Sequence, residues 1–341
     1  MTTRARTRLL AGAMTLMVGA GLASAVSAPS AEARAATDRV YSRAMHRSIP
    51  VYVVPANRPN APTIYLLDGL RAPANDTGWL INTNVANFMR GKGVNLVMPF
   101  GGAGSFYTDW QQRDPKLGLN RWETFLTREL PRYMKSKYQS DGVRNGIGGL
   151  SMSGTSALNI ASRHASMYKS VASYSGYPTV TMPGFNQGIQ MSVAEVGGNP
   201  VNMWGMFPGG DWFANDPFLS AGNLAGKWVY VSSGTGITSK YDSAINPGSP
   251  NFDPMRFVQM VPLETAASIS SQLYIARLRT VGVHLTTHIS PDGGHWWDYW
   301  QRRFKESWYT TYKPSFFGGA GGNNNLGSGS LGSLGSTGSG S

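Results

Sequence analysis

The sequence predicts an α/β fold with a largely parallel central sheet. Three observations carry this. Short apolar runs of buried-strand length alternate with segments of helical spacing along most of the chain. A Gly-lined turn with a central serine joins one such strand to a helix at Gly149-Leu150-Ser151-Met152-Ser153-Gly154. Asp68-Gly69-Leu70-Arg71, Gly101-Gly102 and Ser151 each follow a strand, and parallel sheets carry their sites at the carboxyl ends of strands.

The chain opens with Arg4, Arg6 and Arg8, then an apolar run from Leu9 to Val26, then small residues up to Ala33-Arg34-Ala35. This is the order of a secretory signal, with cleavage expected near Ala35 or Ala36. An uncleaved anchor helix is the competing reading; the glycines and the small-residue exit favour cleavage. No later stretch is long and apolar enough to span a membrane. The 341 residues carry a net charge of +12, and removing residues 1–35 leaves about +9. The basic residues are scattered, with Arg302-Arg303 and Arg132 to Lys137 the densest groups, so a basic face toward an anionic cell envelope is expected rather than nucleic-acid binding. There is no cysteine, which excludes disulfides, thiolate nucleophiles and Cys-based metal sites.

Arg39 to Val54 reads as strand-like, and Thr63 to Leu67 as a buried strand ending at Asp68. Gly78 to Gly91 has helical spacing, Val94 to Pro99 is a second buried strand, and Trp122 to Tyr138 is an amphipathic helix that Pro131 should kink. The elbow strand Val143 to Gly149 follows, then Ser151, a helix to about His164, and a strand over Ser170 to Tyr174. Residues 177–225 break the alternation. They hold Met182, Phe185, Met191, Met203, Trp204, Met206, Trp212 and Phe213 among many Gly and Pro. The expectation is an apolar insertion over the site that forms the wall of a groove for a long apolar substituent, its methionines giving adaptable apolar surface; an irregular core patch would have the same composition. Lys227 to Val231 is a strand, Phe257 to Gly282 a helix interrupted by Pro262, Val283 to Ile289 the last strand, and a final helix reaches Tyr312. From residue 318 the chain is Gly, Ser and Asn with a few Leu, a composition that cannot bury a core.

The Gly-lined turn has the context of a nucleophile elbow, although Ser153 stands where G-x-S-x-G has its last glycine. An ordinary Gly/Ser turn would read the same locally. A serine hydroxyl needs a base to take its proton and an acid to orient that base. In α/β-hydrolase order the acid and then the histidine follow the serine. His284 and His288 sit inside a strand, His164 follows the serine too closely, and His46 precedes it. His295, on a Gly-Gly loop after the last strand, is the expected base. Asp211, Asp216, Asp242, Asp253 and Glu264 all lie between. A plain hydrolase would place its acid just after the strand ending near Val231, which points to Asp242; order alone does not choose.

Taken together, a set of ordered motifs over about residues 40–310 resembles the antigen 85 mycolyltransferases of mycolate-bearing actinobacteria and their corynebacterial relatives. They are Tyr65 to Arg71, Gly78-Trp79 with Ile81-Asn82-Thr83, Ser105 to Trp110, Trp122 to Leu126, Gly149 to Gly154, Asn202 to Gly205, Asn215-Asp216-Pro217 and His295 to Trp300. The resemblance implies an α/β-hydrolase fold over residues 36–317 and a secreted enzyme of the cell envelope that needs no cofactor and no metal. It implies transfer of a mycoloyl group from trehalose monomycolate to a second trehalose monomycolate or to arabinogalactan. It implies Ser151 as nucleophile, His295 as base and Glu264, in the pair Leu263-Glu264, as acid. The oxyanion amides would be those of Leu70 and Met152, and trehalose would meet Asp68, Arg71, Asn82 and Trp297. Two departures stand out. The cysteine pair of mycobacterial members is missing from Gln111 to Arg121, which suggests the corynebacterial branch, and Trp296 replaces the serine usual after the histidine. A carboxylesterase on the same scaffold and a non-catalytic envelope sugar-binding protein remain the alternatives.

Overall fold

Eight strands form one sheet in the order β1-β2-β4-β3-β5-β6-β7-β8: β1 (Ala36–Ser42), β2 (Arg47–Val54), β3 (Ala61–Leu67), β4 (Asn95–Pro99), β5 (Ser140–Leu150), β6 (Tyr168–Tyr174), β7 (Trp228–Ser233) and β8 (His284–Ile289). The computed structural model describes residues 35–318, so the expected signal and the Gly/Ser tail fall, but for Ala35 and Gly318, outside the described residues. The six strands from β4 to β8 in that order run parallel; β2 is antiparallel to β4, and β1 to β2.

Every residue of β3 and β4 is buried, which explains their unbroken apolar runs. Alternate side chains serve two cores. Tyr65, Leu67 and Val97 pack with Trp122 and Phe125, whereas Ile64, Leu66, Leu96 and Met98 pack with Trp79, Trp300 and Phe304. Helices therefore cover both faces, and the open ends of the parallel strands point to one edge.

Local differences from expectation have local causes. Arg39 to Val54 is a hairpin, because Glu129 accepts from Ser42 Oγ and from Ala44 N (3.0 Å) and fixes a turn that brings His46 to φ 50°. Gly78 to Gly91 is two short helices, Gly78–Asn82 and Val85–Met89; the Thr83 hydroxyl bonds back to Trp79 O while its backbone is extended. Pro131 does not kink its helix. A π-helical turn, Phe125–Glu129, precedes Leu130–Tyr138, and Leu130 N donates five residues back to Phe125 O, so Pro131 falls at the start of a fresh α-helix. Nor does Pro262 interrupt Pro254–Leu278, a single helix of 25 residues. Its missing N–H would have bonded the carbonyl of Val258, an exposed residue.

The segment 177–225 divides in two. Trp204 and Trp212 pack edge to face at 5.1 Å within the core. The helix Phe185–Glu195 instead stands beside the strand ends that carry Ser151.

Candidate active site

Ser151 sits at φ 53°, ψ −124°, between the end of β5 and the helix Met152–Arg163. A non-glycine residue held there costs about 1–3 kcal/mol. The turn is held against that cost. Ser151 N donates to Tyr174 O of the neighbouring β6 at 2.9 Å, and Leu150 N donates to Ser153 Oγ at 2.9 Å. The Ser153 hydroxyl also lies 3.0 Å from both Leu67 O and Leu150 O, one of which takes its proton. The serine at the motif's last glycine position is thus a fully buried latch between the elbow and β3. Gly149 must be glycine, since a Cβ there would lie 2.4 Å from Ser153 O.

A chain of hydrogen bonds leads away from Ser151 Oγ. It lies 2.8 Å from His295 Nε2, and His295 Nδ1 lies 2.7 Å from Glu264 Oε2. Glu264 is fully buried on Pro254–Leu278, and its other oxygen accepts from Ser175 Oγ (2.9 Å) and from Gly234 N. Ser175 in turn accepts from Trp300 Nε1 at 3.0 Å, and the Trp300 ring meets His295 edge to face at 4.9 Å. With Glu264 ionised, Nδ1 carries the proton, and Nε2 is left as an acceptor toward Ser151. Ser175 follows β6 at φ 51°, and Gly234 follows β7. Neither was singled out from the sequence; their signal is position alone, the first residue after a parallel strand.

Asp242 is buried, but it does not reach the imidazole. It accepts from Gly294 N (2.9 Å) and Ser239 N (2.7 Å), so it pins the loop that carries His295. Burial pushes its carboxyl above the ordinary range. Three of the other four histidines have partners elsewhere. His164 bonds Glu123 at 2.7 Å, His284 stacks on Trp228, and His288 bonds Glu306 at 2.9 Å.

Leu70 and Met152 come together through register. Leu67 pairs with Gly149 at the end of the β3–β5 ladder, and each of the two residues lies three positions further on. Neither amide donates to an acceptor among the described residues. Asp68 is only 2% exposed, and its carboxylate accepts from Gly69 N (2.7 Å), Thr77 Oγ1 (3.0 Å) and Gly78 N (2.6 Å). Burial raises its pKa. Its clearest role is to tie the loop bearing Leu70 to the helix Gly78–Asn82. Trp297 packs on that tie, so closely that a Cβ on Gly78 would lie 2.3 Å from the indole. Arg71 is paired with Glu195 at 2.5 Å, and Asn82 is exposed, with its amide donating to Gly78 O at 3.0 Å.

The Esterase family matches residues 42–309. The diacylglycerol acyltransferase/mycolyltransferase Ag85B of Mycobacterium leprae is 33% identical over 298 residues, which is 84% of this chain and 85% of that relative. The Ag85A protein of Mycobacterium ulcerans is 32% identical, covering 86% and 84%. The chain belongs to the antigen 85 mycolyltransferase family. The crystal structure of Mycobacterium tuberculosis MPT51 (FbpC1) superposes with a TM-score of 0.69 at 26% identity, over 82% of this chain and 98% of that one. An S-formylglutathione hydrolase from Agrobacterium tumefaciens, at TM-score 0.56 and 16% identity over 80% and 93%, shares the α/β-hydrolase fold alone.

In this member of the antigen 85 family, one cavity of about 650 Å³ collects the residues singled out from the sequence. Asp68, Leu70, Arg71, Asn82, Ser151, Met152, His295 and Trp297 all line it, and Glu264 stands behind His295. Asp68, Arg71 and Ser151 line it just past strand ends, and Ser192 and Glu195 of Phe185–Glu195 add polar groups further along. Its walls are largely apolar: Phe185 and Ile189 on one side, Met260, Leu263, Ala266 and Ile269 of Pro254–Leu278 on the other. Residues 177–225 do supply a wall, but not through their methionines. Met203 is core, and Met191 and Met206 are exposed away from the cavity. Phe185 and Ile189, four residues apart on one helix face, do that work instead. Trp296 also lines the cavity, with the Arg256 guanidinium 5.2 Å from its ring centre.

Proposed function

We propose that this chain is an exported serine acyltransferase. It takes a mycoloyl group from trehalose monomycolate onto Ser151 and passes it to a second trehalose monomycolate or to cell-wall arabinogalactan. The observation that carries the reading is the chain Glu264–His295–Ser151 opening onto a cavity whose lining is largely apolar. Ser151 Oγ attacks the ester carbonyl as its proton passes to His295 Nε2. The developing oxyanion is received by the amides of Leu70 and Met152. Trehalose leaves with the proton from His295, and the incoming sugar hydroxyl returns a proton to His295 as it attacks the acyl-serine. Arg71, Asn82 and Trp297 meet trehalose, and Asp68 acts by holding the loop that carries Leu70.

Export to the cell envelope is supported by the basic, apolar and small-residue order of residues 1–35. No helix among the described residues is long and apolar enough to cross a membrane. The test is product analysis with trehalose monomycolate and saturating radiolabelled trehalose. Label is expected in the monomycolate first and then, as labelled monomycolate serves as acceptor, in the dimycolate. Free mycolic acid as the sole acyl product would make the chain an esterase instead.

A further inference from the structure

The helix Pro254–Leu278 has a buried side that supplies Glu264 and an outer side that nothing among the described residues covers. Met255, Val258, Pro262, Ala266, Ile269 and Leu273 are spaced three or four residues apart, so they fall in one narrow stripe along its length. Met255 is 68% exposed, Val258 66%, Ile269 51% and Leu273 42%. A solvated helix would place charged residues there. This one carries a single carboxylate, Glu264, and that is buried in the site. Its charged residues in solvent are Arg256 near one end and Arg277 near the other, with Arg279 just beyond. Asp253, the N-cap, is held by Arg256 at 3.1 Å. The stripe is continuous with the cavity. Leu263 and Ile269 line the cavity and are also exposed, as is Ile81 on the opposite rim.

We infer that the outer face of Pro254–Leu278 docks the enzyme on a lipid surface bearing anionic headgroups, with the mouth of the cavity against that surface. The inference builds on the proposed acyl-lipid substrate. An apolar stripe flanked by arginines and free of exposed carboxylates is the pattern of a helix that lies in a membrane interface. The net charge of about +9 that remains without residues 1–35 draws the molecule to such a surface. An acyl chain would then pass from the lipid layer along exposed apolar side chains into the cavity without crossing water.

The test uses flotation with vesicles of phosphatidylcholine alone and of phosphatidylcholine with phosphatidylglycerol. It compares the wild type with the triple variant Met255→Glu, Val258→Glu, Leu273→Glu; none of the three lines the cavity. The wild type should float with the anionic vesicles and less with the neutral ones. The variant should lose binding by about tenfold or more while hydrolysing p-nitrophenyl butyrate within about twofold of wild type. Equal flotation of variant and wild type, or none by either, overturns the inference. So does a wild-type dimer by sedimentation velocity that the variant abolishes without any change in flotation, since the stripe would then face a second copy. Flotation needs no turnover, so a chain that floats but transfers no mycoloyl group would sink the acyltransferase reading and leave the docking face standing.

Discussion

Ser151, His295 and Glu264 are fixed by hydrogen bonds that come from the ends of β3, β5, β6 and β7, whereas the walls above them are two helices that offer apolar side chains and few polar contacts. The floor is over-determined. Glu264 alone answers to His295, Ser175 and Gly234. Each such charge-assisted bond is worth about 1.5–3 kcal/mol, enough together to hold a strained serine in place. The walls are held by burial on their inner faces, and their cavity faces have no geometry to keep. Changes in the floor should therefore act on chemistry, and changes in the walls on the choice of substrate.

The largest effects belong to the floor. Ser151→Ala removes the hydroxyl and should lower acyl transfer by about 10⁴- to 10⁶-fold. The thermal midpoint should stay close to wild type, since among the described residues the Ser151 hydroxyl makes a single side-chain hydrogen bond, to His295. Glu264→Gln should cost about 10³- to 10⁴-fold. The amide oxygen would face the donors Ser175 and Gly234, the NH₂ would face Nδ1, and the imidazole would be forced to the tautomer with its proton on Nε2. Asp242→Asn should cost about tenfold or less, because it loosens the Gly294 loop without touching the tautomer. The check is the ratio of kcat between the two variants. A larger loss for Asp242→Asn would exchange their roles.

The walls should respond to chain length instead. Phe185→Ala with Ile189→Ala removes two apolar contacts, each worth about 1.5–3 kcal/mol when fully used. Because a groove is only partly enclosed, kcat/KM for a long-chain ester should fall by about 10- to 100-fold, while a butyrate ester changes by about twofold or less. A loss that is uniform across chain lengths would place these side chains in the scaffold rather than in the groove.

The same division governs what could be read before the structure. The elbow was legible because a Gly-lined serine between an apolar strand and a helix has few other uses. His295 was legible because it alone follows the last strand on a glycine loop. Residue order did not choose between Asp242 and Glu264. The choice depends on which side of the β7 end the long helix crosses, and that is set by packing far along the chain. Ser175 and Gly234 were illegible because a small residue after a strand carries no distinctive signal. The methionines of 177–225 misled because composition says that a segment is apolar and adaptable but not which half turns inward. Trp204 and Trp212 anchored the second half in the core, while the first half divides its side chains, with Val180 and Val193 in the core and Phe185 and Ile189 toward the groove.

The smallest effect should come where floor and wall touch. Arg71, next to the Leu70 amide, meets Glu195 at the end of the wall helix Phe185–Glu195. The pair is about half exposed, 56% and 45%, so its contribution to stability is small, about 0–1 kcal/mol. Two readings of Glu195 give opposite signs. If it competes with the sugar for Arg71, Glu195→Gln lowers KM. If it holds Arg71 ready, the substitution raises KM, since ordering a long side chain costs about 0.5–1.5 kcal/mol. The recorded contact uses one guanidinium nitrogen, Nη2, which leaves the remaining donors free to face sugar hydroxyls. Positioning therefore outweighs competition. Glu195→Gln should raise KM for trehalose monomycolate about two- to fivefold with kcat unchanged, and the increase should shrink in high salt as the wild-type pair is screened. A fall in KM would show instead that wall and floor compete for the same arginine.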